Sequence, residues 1–281
     1  MISGVADLAE HLTGWAPEPV ETTARIGAWP GAAFAALLDQ APPGDELPPM
    51  WHGFHLLDHP AQADLGDDGH PARGRFLPPL PHRRRMFAGG RLELHAPLRV
   101  GDLVTRRSSL VSAVPRTGRS GAMVLVTQRH ELVVDGGSVL LEEQDFAYRS
   151  QPAGEARALA TPSGEAGPER EWRIELVPDA AMLFRFSALT YNTHRIHYDH
   201  PYVTGVEGYP GLVVHGPLLA LLLLELPRRF APQRRVTAFS YRLRQPVFAG
   251  TAVRVQGTPD GDLRAGVAGE PPAVTGTVTL T

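Results

Sequence analysis

Cysteine is absent from the chain, so disulfide bridges, thiolate zinc sites and cysteine nucleophiles play no part in its structure or chemistry. A large excess of either charge is also absent, since 27 basic and 30 acidic residues give a formal net charge of −3. Such a chain lacks the basic field that gathers nucleic acid or an anionic membrane surface. We therefore expect no nucleic-acid partner and no membrane partner.

Long apolar runs are missing as well. The longest, Leu218–Leu224, is far shorter than the roughly 20 residues that a membrane-spanning helix needs. The first fifteen residues lack the basic start and apolar stretch of a secretory signal, so we expect a cytoplasmic protein. Proline and glycine are plentiful, at 27 and 29 residues, which predicts many turns between regular elements.

The length and composition favour two domains. The 281 residues, of which 43% are hydrophobic, fit two domains of about 140 residues better than one large domain. Residues 150–172 are rich in Ala, Gly, Pro and Glu and show no apolar periodicity, which is typical of a linker. We predict an N-terminal domain over residues 1–150, a linker over 151–171 and a C-terminal domain over 172–281.

The two halves contain similar segments at a constant offset. Residues 92–104 and 241–253 both read as a strand, a proline that ends it, a glycine turn and a new strand. At the offset of 149 residues, four positions are identical: Leu94/Leu243, Pro97/Pro246, Gly101/Gly250 and Val104/Val253. This match favours an internal duplication.

Each half also offers one short apolar helix and several strand-like runs. One helix has Pro30 in its first turn, and the other begins at Gly216 and has no polar face, so it should be buried. Strand-like runs cover residues 121–134, 234–247 and 273–281. We predict an α+β fold in which each half wraps a curved antiparallel sheet around a helix, with two sheets able to pair edge to edge.

Histidines gather in residues 190–203, TYNTHRIHYDHPYV. Three of the twelve histidines in the chain lie here at intervals of three: His194, His197 and His200. On a helix this interval would place them on one side, where a metal site is conceivable. Because no cysteine is available and Pro201 argues against a regular helix, we predict that no metal is bound.

The same region contains residues that are suited to proton transfer. Residues 185–199 read as a strand-like alternation that runs into a polar turn, which would place Asn192 and His197 on or beside a loop. The leucine-rich helix that begins at Gly216 would offer unpaired N–H groups and the positive end of its dipole to a carbonyl oxygen that gains negative charge. Hydration of an α,β-unsaturated thioester needs this combination, and one imidazole can carry both proton transfers near neutral pH.

At these residues the chain resembles the second domain of MaoC-like hydratases, within the FAS1-like dehydratase branch that includes mesaconyl-CoA and itaconyl-CoA hydratases and hydroxyacyl-thioester dehydratases type 2. The segments SALTYNTHRIHYD and GYPGLVVHGPL carry this likeness. Three segments extend it to the first half: LPPMWHGFHLL, DDGHPARGRFLPPLPHRRRMFAGGRLELHAPLRVGD and EEQDF. The resemblance implies a double hotdog fold, with a catalytic C-terminal repeat and an N-terminal repeat that helps bind CoA. It also implies a hydro-lyase that acts on a short branched dicarboxylic enoyl-CoA.

Better-known relatives carry an Asp-x-Asn-Pro-x-His pattern, in which Asp and His form the catalytic pair. When the pattern is aligned with this chain, His197 takes the position of the histidine and Asn192 that of the aspartate. His194 and Arg195 take the positions of the Asn and the Pro. Since an amide takes up no proton near neutral pH, the resemblance implies that His197 is the single acid/base and that Asn192 orients the water.

The resemblance also assigns binding residues. The N–H of Gly216 takes the oxyanion-donor position, with the backbone of Val214 and His215 beside it. The densest basic patch would bind the phosphates of CoA or form a solvated turn: Arg83, Arg84 and Arg85. Three more histidines either line the substrate cavity or lie on the surface: His52, His55 and His59. Residues 41–85 fit neither periodicity and are expected to cross the cleft or the surface.

Several alternatives stay open at this point. CoA is part of the substrate, so no separate cofactor is expected, and the chain is expected to be a monomer or a homodimer. A 3-hydroxyacyl-ACP dehydratase of fatty acid or polyketide synthesis would share these features, as would a thioesterase on the same scaffold. The amide at Asn192 is the feature that favours a non-catalytic acyl-thioester-binding protein.

Overall fold

The computed structural model describes residues 5–118, 121–150, 165 and 167–281. Its helices and strands are, in chain order, α1 (Val5–His11), β1 (Val20–Arg25), α2 (Ala28–Leu37), β2 (Arg83–Leu94), β3 (Leu103–Gly118), β4 (Gly121–Val134), β5 (Gly137–Ser150), β6 (Trp172–Leu176), α3 (Ala180–Thr190), α4 (His200–Gly205), α5 (Gly216–Phe230), β7 (Val236–Leu243), β8 (Val253–Gly257), β9 (Asp262–Val267) and β10 (Val274–Leu280). Short 3₁₀ turns cover Trp51–Phe54, Gln62–Asp64 and Arg195–His197.

The described strands form one ten-stranded antiparallel sheet in the order β1-β3-β4-β5-β2-β7-β10-β9-β8-β6. Read inward from either edge, the two halves have the same order. They join where β2 pairs with β7, with Gly90 opposite Tyr241 and Leu92 opposite Phe239. The predicted α+β double hotdog fold and the edge-to-edge pairing of its sheets are confirmed.

The paired glycines of the sequence repeat occupy the same place in both halves. Gly101 lies in the turn between β2 and β3, and Gly250 lies in the turn between β7 and β8. Their φ angles are 96° and 83°, a region that a residue without a side chain adopts at little cost. The equivalence of these turns supports the internal duplication.

Helix α5 is enclosed by the strands of its own half. Its residues from Leu218 to Pro227 are buried, and it packs on β6 to β10, so the prediction that this helix is buried is confirmed. Within it, the carboxylate of Glu225 is only 1% exposed and accepts hydrogen bonds from Gln40 and Arg228, which compensate the buried charge. Among the described helices, none has the length and apolarity required to cross a bilayer.

Helix α2 packs in a different way. It begins at Ala28, two residues before Pro30, and lies chiefly against α3 and the turn Trp51–Phe54. The ring centroid of Phe34 lies 4.9 Å from that of Trp51 and 6.1 Å from that of Phe186 in α3. The helix of the first half therefore packs against a helix of the second half.

One predicted element is wrong. Residues 185–190 were expected to be strand-like, but they lie in α3, which begins where the carboxylate of Asp179 accepts a 2.7 Å bond from the N–H of Met182. Buried residues of α3 recur at helical spacing, among them Leu183 and Phe186. The strand-like run 121–134 is confirmed as β4. The predicted linker falls largely outside the described residues, and the domain boundaries stay a prediction.

Candidate active site

The loop after α3 carries the predicted catalytic residues. Helix α3 ends at Tyr191, whose φ is 50°, and the N–H of Asn192 then donates to the oxygen of Ser187 at 2.9 Å. The side-chain oxygen of Asn192 accepts a 3.0 Å bond from the N–H of His194. This bond orients the amide and uses one of the two lone pairs of its oxygen, so the other lone pair and the NH₂ group are left for a ligand.

His197 ends the 3₁₀ turn that follows and is buried. Its Nδ1 lies 2.7 Å from the carbonyl oxygen of Val213, and because a carbonyl only accepts, Nδ1 donates and Nε2 is the basic nitrogen. Burial lowers the pKa of His197 to about 4; the bond to Val213 opposes this shift and the charge of His70 adds to it. The ring is therefore neutral near pH 7 and able to accept a proton.

His215 ties His197 to the N-terminus of α5. The two rings stack with centroids 3.6 Å apart and an angle of 18° between their planes. The Nε2 of His215 lies 2.8 Å from the Oγ of Ser187 in α3, and burial lowers the pKa of His215 well below its ordinary value. His215 is the N-cap residue of α5, so the stack fixes His197 beside the start of this helix.

The tip of α5 is accessible at Gly216, which is only partly buried. The N–H of this first helical residue has no acceptor within its own helix, as at any helix start. A Cβ at this position would overlap the side chain of Leu243, so glycine allows the close packing seen here. The N–H of Val214, in contrast, already donates to Val247 at 2.8 Å. Of the predicted oxyanion donors, Gly216 is therefore the best placed.

A cavity of about 720 Å³ lies beside this loop. Its walls come from β2 to β5, from residues 58–82 and from the region of α4 around Tyr202 and Glu207. Residues 58–82 belong to the irregular stretch 41–85, which thus covers a cavity as expected. Among the described residues that line the cavity, His70 is present, whereas the residues predicted to be catalytic, Asn192 and His197, are not.

His70 connects the cavity to the histidines of the second half. Its ring centroid lies 3.9 Å from that of His194, which lies 5.5 Å from that of His197. We call His70, His194, His197 and His215 the histidine stack; it runs from the cavity wall to the N-terminus of α5. Sequence reasoning missed His70 because this residue lies in the other half of the chain, and the only signal was the segment DDGHPARGRF.

The end of the stack at the cavity includes a carboxylate. Ligand atoms of Asp68, His70 and His194 lie within 4.8 Å of one another, which is close enough to hold a metal ion. His200 is exposed at the start of α4. That no metal is bound stays a prediction.

The three predicted CoA-binding arginines all line the cavity. Arg83 donates to the carbonyl oxygens of residues 72 and 78 and thereby holds the irregular stretch. Arg84 lies 3.4 Å from Glu207, and within the described part of the chain its buried Nη1 has no hydrogen-bond partner. The guanidinium of Arg85 lies 4.3 Å above the ring of Phe146. Arg84 and Arg85 are thus the better placed for a ligand.

The three other predicted histidines divide between two places. His59 is exposed and lines the cavity. His52 is buried, and its Nε2 lies 3.1 Å from the carboxylate of Glu142. His55 is also buried, and burial together with the charge of His52 lowers its pKa to about 4. Of these three, His59 alone lines the cavity and is placed to meet a ligand there.

A double hotdog with a neutral buried imidazole beside a helix N-terminus is typical of the hydratases and dehydratases of acyl thioesters, the hydro-lyase class to which the family match also assigns the chain. The comparisons with known proteins agree, since the family model of hydroxyacyl-thioester dehydratase type 2 matches residues 51–249. The chain belongs to this family.

Three relatives illustrate the match. Mesaconyl-C(4)-CoA hydratase of Chloroflexus aurantiacus is 44% identical over 236 residues, which cover 82% of each chain. The mitochondrial hydroxyacyl-thioester dehydratase type 2 of Schizosaccharomyces pombe is 26% identical over 251 residues, covering 77% of this chain and 79% of its own. A solved MaoC-like dehydratase from Phytophthora capsici shares the fold, with a TM-score of 0.69, 14% identity and coverage of 95% and 96% of the two chains.

Proposed function

We propose that the protein adds water to, or removes it from, the α,β double bond of a short branched dicarboxylic enoyl-CoA such as mesaconyl-CoA or itaconyl-CoA. The observation that carries the proposal is the histidine stack, which joins the tip of α5 to a cavity large enough for a ligand. The choice of acyl group draws on the name of the relative that is 44% identical. In this scheme CoA is part of the substrate, and the reaction needs no further cofactor.

The chemistry uses the N-terminus of α5 and His197. The thioester oxygen accepts a hydrogen bond from the N–H of Gly216 and lies at the positive end of the helix dipole. The Nε2 of His197 takes one proton from water while the water oxygen bonds to Cβ and the double-bond electrons move to form the enolate. The same proton then passes from His197 to Cα. The enzyme ends in its starting state, and the substrate has gained one water.

The charge of the cavity suits an anionic substrate. Among the described residues that line it, six are arginines and four are carboxylates, so the wall carries a net positive charge. Among the residues that the structure describes, the buried Nη1 of Arg84 has no hydrogen-bond partner, so it is available to donate to a carboxylate or a phosphate. CoA and a dicarboxylic acyl group both supply such acceptors.

The test is a hydration assay with crotonyl-CoA, mesaconyl-C4-CoA and itaconyl-CoA, in which loss of the enoyl absorbance is followed and the product is identified by mass spectrometry. We expect hydration, with the highest kcat/KM on a dicarboxylic substrate. A higher kcat/KM on the matched acyl-carrier-protein thioester would contradict the choice of CoA. Release of free thiol, or tight binding without turnover, would contradict hydration itself.

A further inference from the structure

We propose that His70, a residue of the first half, is a second catalytic residue: its Nε2 accepts a hydrogen bond from the attacking water while His197 takes the other proton. This inference rests on the proposed function. It gives the first half a direct part in the reaction, in addition to binding CoA. It also supplies the water acceptor that Asn192 was expected to provide.

The segment that carries His70 is bound to the catalytic loop. The N–H of Arg195 donates to the oxygen of Asp68 at 2.8 Å, and the hydroxyl of Thr193 donates to the oxygen of Gly69 at 2.5 Å. The guanidinium of Arg195 adds a 2.8 Å bond to the oxygen of residue 67. Three hydrogen bonds therefore fix residues 67–70 against the loop that leads to His197.

Glycine at position 69 makes this contact possible. Its φ is 84°, and a Cβ here would overlap the carbonyl oxygen of Thr193. Any other residue would be strained and would push the two segments apart. Close approach of the two halves at this point is therefore specified by the sequence.

The carboxylate of Asp68 orients the ring of His70. Asp68 accepts a 2.9 Å bond from the backbone N–H of His70 and lies 3.1 Å from the ring Nδ1. Because an ionised carboxylate only accepts, Nδ1 carries the hydrogen and Nε2 keeps its lone pair. Burial raises the pKa of Asp68, but hydrogen bonding to His70 lowers it, and the net shift of the pKa is downward. The carboxylate is therefore charged at neutral pH.

His70 is placed where water enters. Its side chain is 18% exposed and lines the cavity, whereas His197 is buried and is not among the described residues that line it. The side-chain oxygen of Asn192 is already bonded to the N–H of His194. Of these three candidates for holding water, His70 is the one that lines the cavity, and its Nε2 carries a lone pair that accepts a hydrogen bond.

The order of the histidines along the stack agrees with the order of the carbon atoms in the substrate. The thioester carbonyl carbon is fixed by Gly216, Cα is one bond away and Cβ is two bonds away. His197 packs on His215, next to Gly216, and His70 lies further out at the cavity. The proton balance is simple: one water proton goes by way of His197 to Cα, and the proton that faces His70 stays on the new hydroxyl group.

Two variants of His70 test this role. In His70→Asn the amide occupies the place of Nδ1, so contact with Asp68 is kept and the acceptor at Nε2 is lost. In His70→Gln the amide reaches the place of Nε2. With the enoyl-CoA that the wild type hydrates fastest, we expect kcat to fall about 100-fold in His70→Asn and about 10-fold in His70→Gln, with KM changed less than threefold. His95→Gln, at an exposed ring, is the control.

The outcomes separate this inference from the proposed function. If the wild type hydrates no enoyl-CoA, the proposed function fails. If the wild type is active and His70→Asn keeps its kcat, only the role of His70 is wrong. Equal losses in both variants, together with an equal drop in Tm, would assign His70 to packing and would also overturn the inference.

Discussion

The two halves of the molecule share one fold and use the inner face of the sheet in different ways. In the second half, α5 covers this face, and the strand residues beneath it are apolar, among them Val255, Leu263 and Val278. In the first half, three adjacent strands place polar residues directly opposite one another, with Ser108 facing His130 and His130 facing Glu142. One half therefore has a closed apolar core, and the other exposes polar side chains to the cavity.

Helix length explains part of this difference. Helix α5 has 15 residues and α2 has 10, which correspond to about 22 Å and about 15 Å of helix. The shorter α2 also lies toward α3, so it leaves the middle of the first sheet uncovered, and Ser108 and His130 line the cavity there. The histidine stack leads from this cavity to the N-terminus of α5 in the other half.

The largest expected effect comes from removing the proton carrier of the second half. In His197→Ala the ring that exchanges protons with water and Cα is gone, so kcat should fall by about 10²–10⁴. Steady-state hydration kinetics measure this loss, and circular dichroism checks that the fold is kept. Wild-type kcat in this variant would show that His197 is not the acid/base.

A second variant breaks the contact between the halves. Gly69→Ala places a Cβ on the carbonyl oxygen of Thr193 and adds about 1–2 kcal/mol of left-handed strain. We expect a loss of at least tenfold in kcat and a lower Tm, because residues 67–70 can no longer hold their position. Gly44→Ala is the control, since a Cβ there meets no atom within 4 Å. Equal behaviour of the two variants would mean that this contact is dispensable.

The buried state of His197 predicts how stability depends on pH. Its pKa is about 4 in the folded protein and about 6.5 in the unfolded chain, so the unfolded chain binds this proton first as the pH falls. His197 should therefore make its full contribution to the free energy of unfolding above pH 6.5, and this contribution should decrease toward pH 4. At pH 5 the decrease due to His197 should be about 2 kcal/mol. Urea unfolding at pH 7.5 and at pH 5 measures this decrease in the free energy of unfolding. His197→Gln should show a smaller decrease, and an unchanged decrease would refute the assignment.

The smallest effect should concern binding by the first half. In Arg85→Gln the cavity loses one positive charge, and we expect KM for the CoA ester to rise about tenfold with little change in kcat. The matched pantetheine ester, which lacks the nucleotide phosphates, should show no such rise. Arg116→Gln, at an exposed position on β3, is the control. A KM that rises equally for both esters would place the phosphates elsewhere.

Much of the fold could be predicted because its signals are local. The buried helix α5 follows from seven consecutive apolar residues, and the repeat shows in paired prolines and glycines such as Gly101 and Gly250. Helix α3 was misread because Phe, Thr and Tyr are also common in strands, and its N-cap at Asp179 outweighs that preference.

The site was less predictable because it is built from both halves. Asn192, His197 and Gly216 could be located from one stretch of sequence and one resemblance. No local pattern predicts that residues 67–70 pack on residues 193–195, since that contact depends on how the two halves meet. The role of Asn192 also depends on a bond between its side chain and the backbone of His194, which only coordinates reveal.

The most direct test is a crystal structure of His197→Ala with the enoyl-CoA that the wild type hydrates fastest. We expect the thioester oxygen about 3 Å from the N–H of Gly216, Cβ turned toward His70, and the CoA moiety in the cavity along Arg84 and Arg85. An acyl group bound away from the N-terminus of α5, with the histidine stack untouched by ligand, would contradict it.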